Sequence, residues 1–116
     1  MEELLRQLNK IEGVRGSAIV SNEGLMVISL LPQDVDPDAV AGMCASNFRN
    51  STTVAKMLNV GKTRRVIIET DSAFVIFANI GNGFLAVVSD KETNLGLLRI
   101  RIDQTVREIK AKLLEE

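Results

Sequence analysis

The chain has 116 residues, 46% of them hydrophobic and 25% charged, with a formal net charge of −1. That is enough for one domain, residues 1–116, burying roughly two-thirds of its unfolded surface, and the composition excludes a disordered tail. Near-neutral charge gives no field to attract nucleic acid or an anionic membrane, and the absence of Trp, Tyr and His removes most base stacking and all histidine chemistry.

The amino terminus, Met1-Glu2-Glu3, lacks the basic region and apolar run of a signal peptide, and no apolar stretch approaches ~18 residues. A cytoplasmic protein without membrane insertion is expected. Leu4, Leu5, Leu8 and Ile11 recur at helical spacing and predict a short first helix, with Gly13 placed as its C-terminal cap. Ser17 to Ser21 and Leu25 to Leu31 read as strands joined by the tight-turn signal Asn22-Glu23-Gly24.

A long second helix follows. Asp36 caps its start, Pro37 suits the first helical position, and its end falls near Asn59 to Gly61, with Lys56 in the last turn. Between Ala39 and Ala55 the only ionisable side chain is Arg49, Cys44 aside. Val40, Met43, Cys44, Phe48, Val54 and Leu58 are expected to face the core. Ala41, Gly42, Ala45, Ser46, Asn50 and Thr53 then form a small, neutral outward face, whereas a solvated helix normally carries charge there. Such a face admits close approach of another protein. Gly42 costs ~1 kcal/mol relative to Ala in a helix interior, which a tertiary contact would have to offset.

Three strands follow: Arg64 to Thr70, Ala73 to Ile80, and Phe84 to Ser89. Their short connections, Asp71-Ser72 and Gly81-Asn82, imply an antiparallel meander. The nearly unbroken apolar run of the second is expected to be central and covered on both sides. Arg65, Ile67 and Glu69 alternate with Val66 and Ile68, which fits a strand at a sheet edge. Asn94 caps a last helix whose apolar stripe is Leu95, Leu98, Ile102, Val106, Ile109 and Leu113, and whose outer face carries Arg99, Arg101, Arg107 and Lys110. Gly96, early in this helix, is expected to allow close approach to the sheet. The order α-β-β-α-β-β-β-α predicts an α/β (α+β) three-layer sandwich on a five-stranded antiparallel sheet.

With that order, Ile11-Glu12-Gly13-Val14-Arg15-Gly16, Asn22-Glu23-Gly24 and Asn94-Leu95-Gly96-Leu97-Leu98-Arg99 resemble the roadblock/LC7 domain, in the small prokaryotic form of the MglB type or the dynein light chain roadblock type. The resemblance implies a profilin-like sheet of order 2-1-5-4-3 and a homodimer in which third strands pair and second helices pack side by side. It implies a dimer interface of Ala41, Gly42, Ala45, Ser46, Arg49, Asn50, Thr53, Arg65, Ile67 and Glu69. It also implies a small Ras-like GTPase as partner, with Arg49, Asn50, Thr53 and Lys56 as contact candidates. Family members act as non-catalytic regulators or scaffolds, some of them GTPase-activating.

Simpler readings stand beside these. The neutral face could be solvated, and Arg49 could be a rim charge or bond carbonyls or an acid across the seam. Cys44 reads as core packing, Asp36 and Asp38 as capping rather than a metal site, and Gly81-Asn82-Gly83 as a hairpin turn rather than a phosphate loop. No nucleophile–base pair, cofactor loop or metal cluster emerges, so no enzymatic activity and no cofactor is expected. The alternative to a GTPase regulator is a purely structural subunit of a larger cytoplasmic complex. A small-molecule sensor is a weaker third reading.

Overall fold

The structure, a computed structural model, describes residues 1–115. Its elements are α1 (Glu2–Asn9), β1 (Val14–Ser21), β2 (Met26–Leu30), α2 (Pro37–Met57), β3 (Arg65–Glu69), β4 (Ala73–Asn79), β5 (Gly83–Asp90) and α3 (Leu95–Glu115). The strands form one antiparallel sheet in the order β2-β1-β5-β4-β3. The predicted α+β sandwich and the edge position of β3 are both found. β4 lies one place from that edge, and β5 is the central strand. β1 starts three residues earlier than its apolar run suggests, because Val14 and Gly16 still pair with Ser89 and Val88 of β5.

Alternation along the inner strands divides the core in two. Leu85 and Val87 of β5 and Ile76 of β4 point to one face, where Leu5 and Leu8 of α1 and Leu98, Ile102 and Ile109 of α3 cover them. Phe84 and Ala86 of β5 and Phe77 of β4 point to the other face, with Ala18 and Val20 of β1. There α2 supplies Ala41, Cys44, Ala45 and Phe48, and the Phe48 and Phe84 rings stand 4.5 Å apart at a tilt of 32°. Burial on both faces explains why β4 and β5 read as nearly continuous apolar runs. Burying a side chain such as Phe48 contributes about 2–3 kcal/mol.

Polar groups fix the remaining joints. The Ser17 hydroxyl donates to Asn9 Oδ1 at 2.7 Å, and Asn9 Nδ2 donates to the Leu30 carbonyl at 3.1 Å, tying α1 to β1 and β2. Asn94 Oδ1 accepts from the Leu97 N–H at 3.1 Å, which is the predicted cap of α3. Gly96 does not approach the sheet. It is exposed, and the nearest atom to a Cβ built there is Asn94 Oδ1 at 3.5 Å. Gly13 lies beyond the end of α1, in the turn entering β1, with φ +94°.

Candidate functional site

Helix α2 is firmly ended on both sides. Asp36 Oδ1 accepts from the Asp38 N–H at 3.1 Å and the Ala39 N–H at 3.3 Å, with Pro37 opening the helix. At the other end Asn59 takes φ +55°, its N–H donates to the Lys56 carbonyl at 3.1 Å, and the Val60 N–H donates to the Ala55 carbonyl at 3.2 Å. This paired closure satisfies carbonyls that a helix terminus otherwise leaves open. The rotation of α2 about its axis is therefore set by packing rather than by fraying.

That rotation corrects the sequence reading. Ala41 and Ala45 are 0% exposed and face the sheet, so neither belongs to an outward face. Met43 is 71% exposed and Val54 53%, so neither belongs to the core, and Leu58 is exposed as well. Gly42, Asn50 and Thr53 do face outward, and Ser46 is half-buried. The small side chains accommodate this chain's own β1–β2 turn, which lies against α2 at Gly24. Two apolar stripes lie side by side on this helix, and a turn that needs small neighbours decides between them.

The true outward stripe is Met43, Asn47, Asn50, Val54 and Met57, spaced four, three, four and three residues apart, and every member is exposed. This is the spacing of a seam that packs against another helix. Composition alone named Asn50 and missed Asn47, Met43, Val54 and Met57 as outward groups. No signal in the sequence singles them out, because the contact of Gly24 with α2 that turns them outward joins residues distant along the chain.

The layer that α2 occupies is half-filled. Five strands at about 4.8 Å spacing make a sheet some 20 Å wide, about two helix diameters. The opposite face carries two helices, and this face carries one, packed over β1 and β2. Beside α2 runs a largely apolar groove of about 740 Å³, bounded by Val40 and Met43 of the helix and floored by Ile68, Val75, Phe77 and Val88.

Strand β3 forms one wall of the same side. Its register with β4 places Ile67 opposite Ile76, with the Asn79 N–H donating to the Arg64 carbonyl and the Thr70 N–H to the Ala73 carbonyl. Residues 64, 66, 68 and 70 thus bond inward, and the N–H and C=O groups of Arg65, Ile67 and Glu69 point to the open edge. Ile67 is 38% exposed there. The side chains of its two neighbours are held at their tips: Arg65 pairs with Asp103 of α3, and Glu69 pairs with Lys91.

Arg49 Nη1 donates to the Asn22 carbonyl at 3.3 Å, so this residue bonds a carbonyl of its own hairpin. The Thr53 hydroxyl donates back to the Arg49 carbonyl at 3.1 Å, and Lys56 is exposed in the last turn. Cys44 is buried, and burial pushes its thiol up to about 11, which keeps it a neutral packing group. Asp36 is engaged in capping, as expected. Among the described residues no helix is long and apolar enough to cross a membrane.

The family model of the Roadblock/LC7 domain matches residues 1–90. An uncharacterized protein of Methanocaldococcus jannaschii is 33% identical over 111 residues, covering 96% of this chain and 97% of that protein. MglB of Myxococcus xanthus has the same fold at a TM-score of 0.92 and 22% identity, over 98% of this chain and 94% of that one. A Roadblock/LC7 domain from Streptomyces avermitilis superposes at 0.89 with 19% identity, over 98% of each chain. At those identities the two solved structures speak to the fold.

Proposed function

The chain belongs to the Roadblock/LC7 domain family, and on that premise we propose that it is a homodimeric, non-catalytic adaptor that binds a small Ras-like GTPase and modulates or scaffolds it. The observation that carries the dimer is the half-filled layer: one helix and an apolar groove on a face wide enough for two helices. A second copy's α2 is an occupant of the right size.

The outward stripe is self-complementary. Laid antiparallel about Asn50, it brings Met43 to the second copy's Met57, Asn47 to its Thr53, and Asn50 to itself. β3 has the same property about Ile67, because antiparallel pairing sets Arg65 against the partner copy's Glu69. The expected interface is Gly42, Ser46, Asn50, Thr53, Arg65, Ile67 and Glu69 joined by Met43, Asn47, Val54 and Met57, with Arg49 on its rim. Burial of about 1,600 Å², usual for specific complexes, is the expected size.

The GTPase partner rests on the family resemblance. With Asn50 and Thr53 in the seam, Arg49 and Lys56 are the contact candidates left on its flanks. Any change in turnover requires different affinity for two nucleotide states or for the transition state. The test is GTP hydrolysis and nucleotide exchange by the small GTPases of the same host, with and without this protein. Stimulation that Arg49→Ala abolishes while binding persists supports Arg49 as a charge supplied in trans. The bond from Arg49 to the Asn22 carbonyl favours a second reading, a structural subunit of a larger complex, which binding without any change in either rate would support.

A further inference from the structure

Five basic side chains from three segments converge on one cleft of about 940 Å³: Lys62 and Arg64 from the α2–β3 loop, Arg65 at the start of β3, and Arg107 and Lys110 from α3. Among the described residues the only acid lining it, Asp103, already accepts from Arg65. Lys62, Arg64, Arg107 and Lys110 have no ion-pair partner among the described residues. On a chain of net charge −1 this is a marked segregation of positive charge, and the mutual repulsion it stores is relieved by an anion.

The backbone around the cleft is shaped for close approach. Gly61 and Gly81 line it with φ of +100° and +99°, and a Cβ at either would meet nothing within 4 Å. No backbone carbonyl among the described residues accepts from the N–H groups of Gly61, Lys62 or Thr63. Free loop N–H groups beside arginine forks are the donor set that phosphate oxygens take up.

We infer that this cleft binds a ligand carrying a cluster of phosphoryl groups, either a free polyphosphate compound or the phosphate headgroups of lipids. No aromatic side chain lines it, so it offers no stacking platform to the bases of a nucleic acid. Donors converging from three segments on a concavity suit a compact polyanion. The cleft is built from the α2–β3 loop, the start of β3, the β4–β5 turn and α3, and it shares Arg65 alone with the expected dimer seam.

Calorimetric titration with inorganic triphosphate and co-sedimentation with vesicles, neutral or containing 30% anionic phosphatidylglycerol, test it on the full chain. The double variant Arg107→Glu/Lys110→Glu is compared with Lys10→Glu, an exposed charge change outside the cleft. Binding of triphosphate that weakens at least tenfold in the double variant and under twofold in Lys10→Glu supports a free polyphosphate ligand. Binding of anionic vesicles alone, with the same dependence, supports the headgroup source. Circular dichroism checks the fold, and Lys62→Gln/Arg64→Gln replaces the double variant if that one unfolds. Failure of both probes to bind, or equal binding by wild type and cleft variant, overturns the inference, as does equal loss in Lys10→Glu.

Discussion

Gly24 rests against Gly42: a Cβ built at Gly24 would lie 3.4 Å from the Gly42 Cα and 3.4 Å from the Ala45 Cβ. The turn between β1 and β2 is thereby seated on α2, and Arg49 holds the same turn through the Asn22 carbonyl. This contact fixes which side of α2 is inside. It turns the small residues to the core and leaves methionine and valine outside.

Opposite effects are expected at the two glycines. Gly24 has φ +87°, so Gly24→Ala strains the backbone and destabilises the fold by about 1–2 kcal/mol, even though its Cβ would make only ordinary van der Waals contact with α2. Gly42 is helical with open space where a Cβ would stand, so Gly42→Ala stabilises the monomer by up to about 1 kcal/mol. Urea unfolding midpoints of the two variants should move in opposite directions.

The two faces of α2 separate folding from assembly. Ala45→Glu places a carboxylate in a fully buried position and costs several kcal/mol, enough to unfold a domain of this size. Val54→Glu changes an exposed position on the outward stripe, so the helical signal in circular dichroism is retained and the dimer is lost. A folded, dimeric Ala45→Glu protein would show that the face assignment is wrong.

On the sheet edge, Ile67→Pro is the diagnostic substitution. The Ile67 N–H faces away from β4, so proline removes no bond of the β3–β4 ladder and is tolerated as edge prolines are. It removes a donor that edge-to-edge pairing uses. The expected result is a folded protein with dimer affinity reduced at least tenfold, read by sedimentation.

Cys44 gives a pH signature. Its folded-state value, about 11, lies above the ordinary thiol value of 9.0, so the folded state favours the protonated form. The corresponding stability is fully present below about pH 9 and is lost as pH rises from there toward 11, since the unfolded chain releases its proton first. Alkylation by iodoacetamide at pH 8 should be slow in the native protein and fast in urea. Cys44→Ala should flatten the alkaline decline.

Much of this was readable from residues alone. Asp36 and Asn94 announce the caps, the glycine turns announce the hairpins, and the nearly unbroken apolar run of β4 announces a strand covered on both faces, although the central place it suggested belongs to β5. The alternation of Arg65, Ile67 and Glu69 placed β3 at an edge. The rotation of α2 was not readable, because helical periodicity allows two apolar stripes and only the long-range contact with Gly24 selects one. The basic cleft was equally hidden, since Lys62, Arg64, Arg107 and Lys110 are separated in sequence and meet only when α3 packs beside β3 and β4.

The central claim is that α2 and β3 build a dimer, and sedimentation equilibrium at micromolar concentration tests it most directly. The account predicts that wild type sediments at twice the 12.7 kDa of one chain, and that Val54→Glu sediments as a folded single chain. A wild-type protein that stays a single chain at that concentration would contradict it.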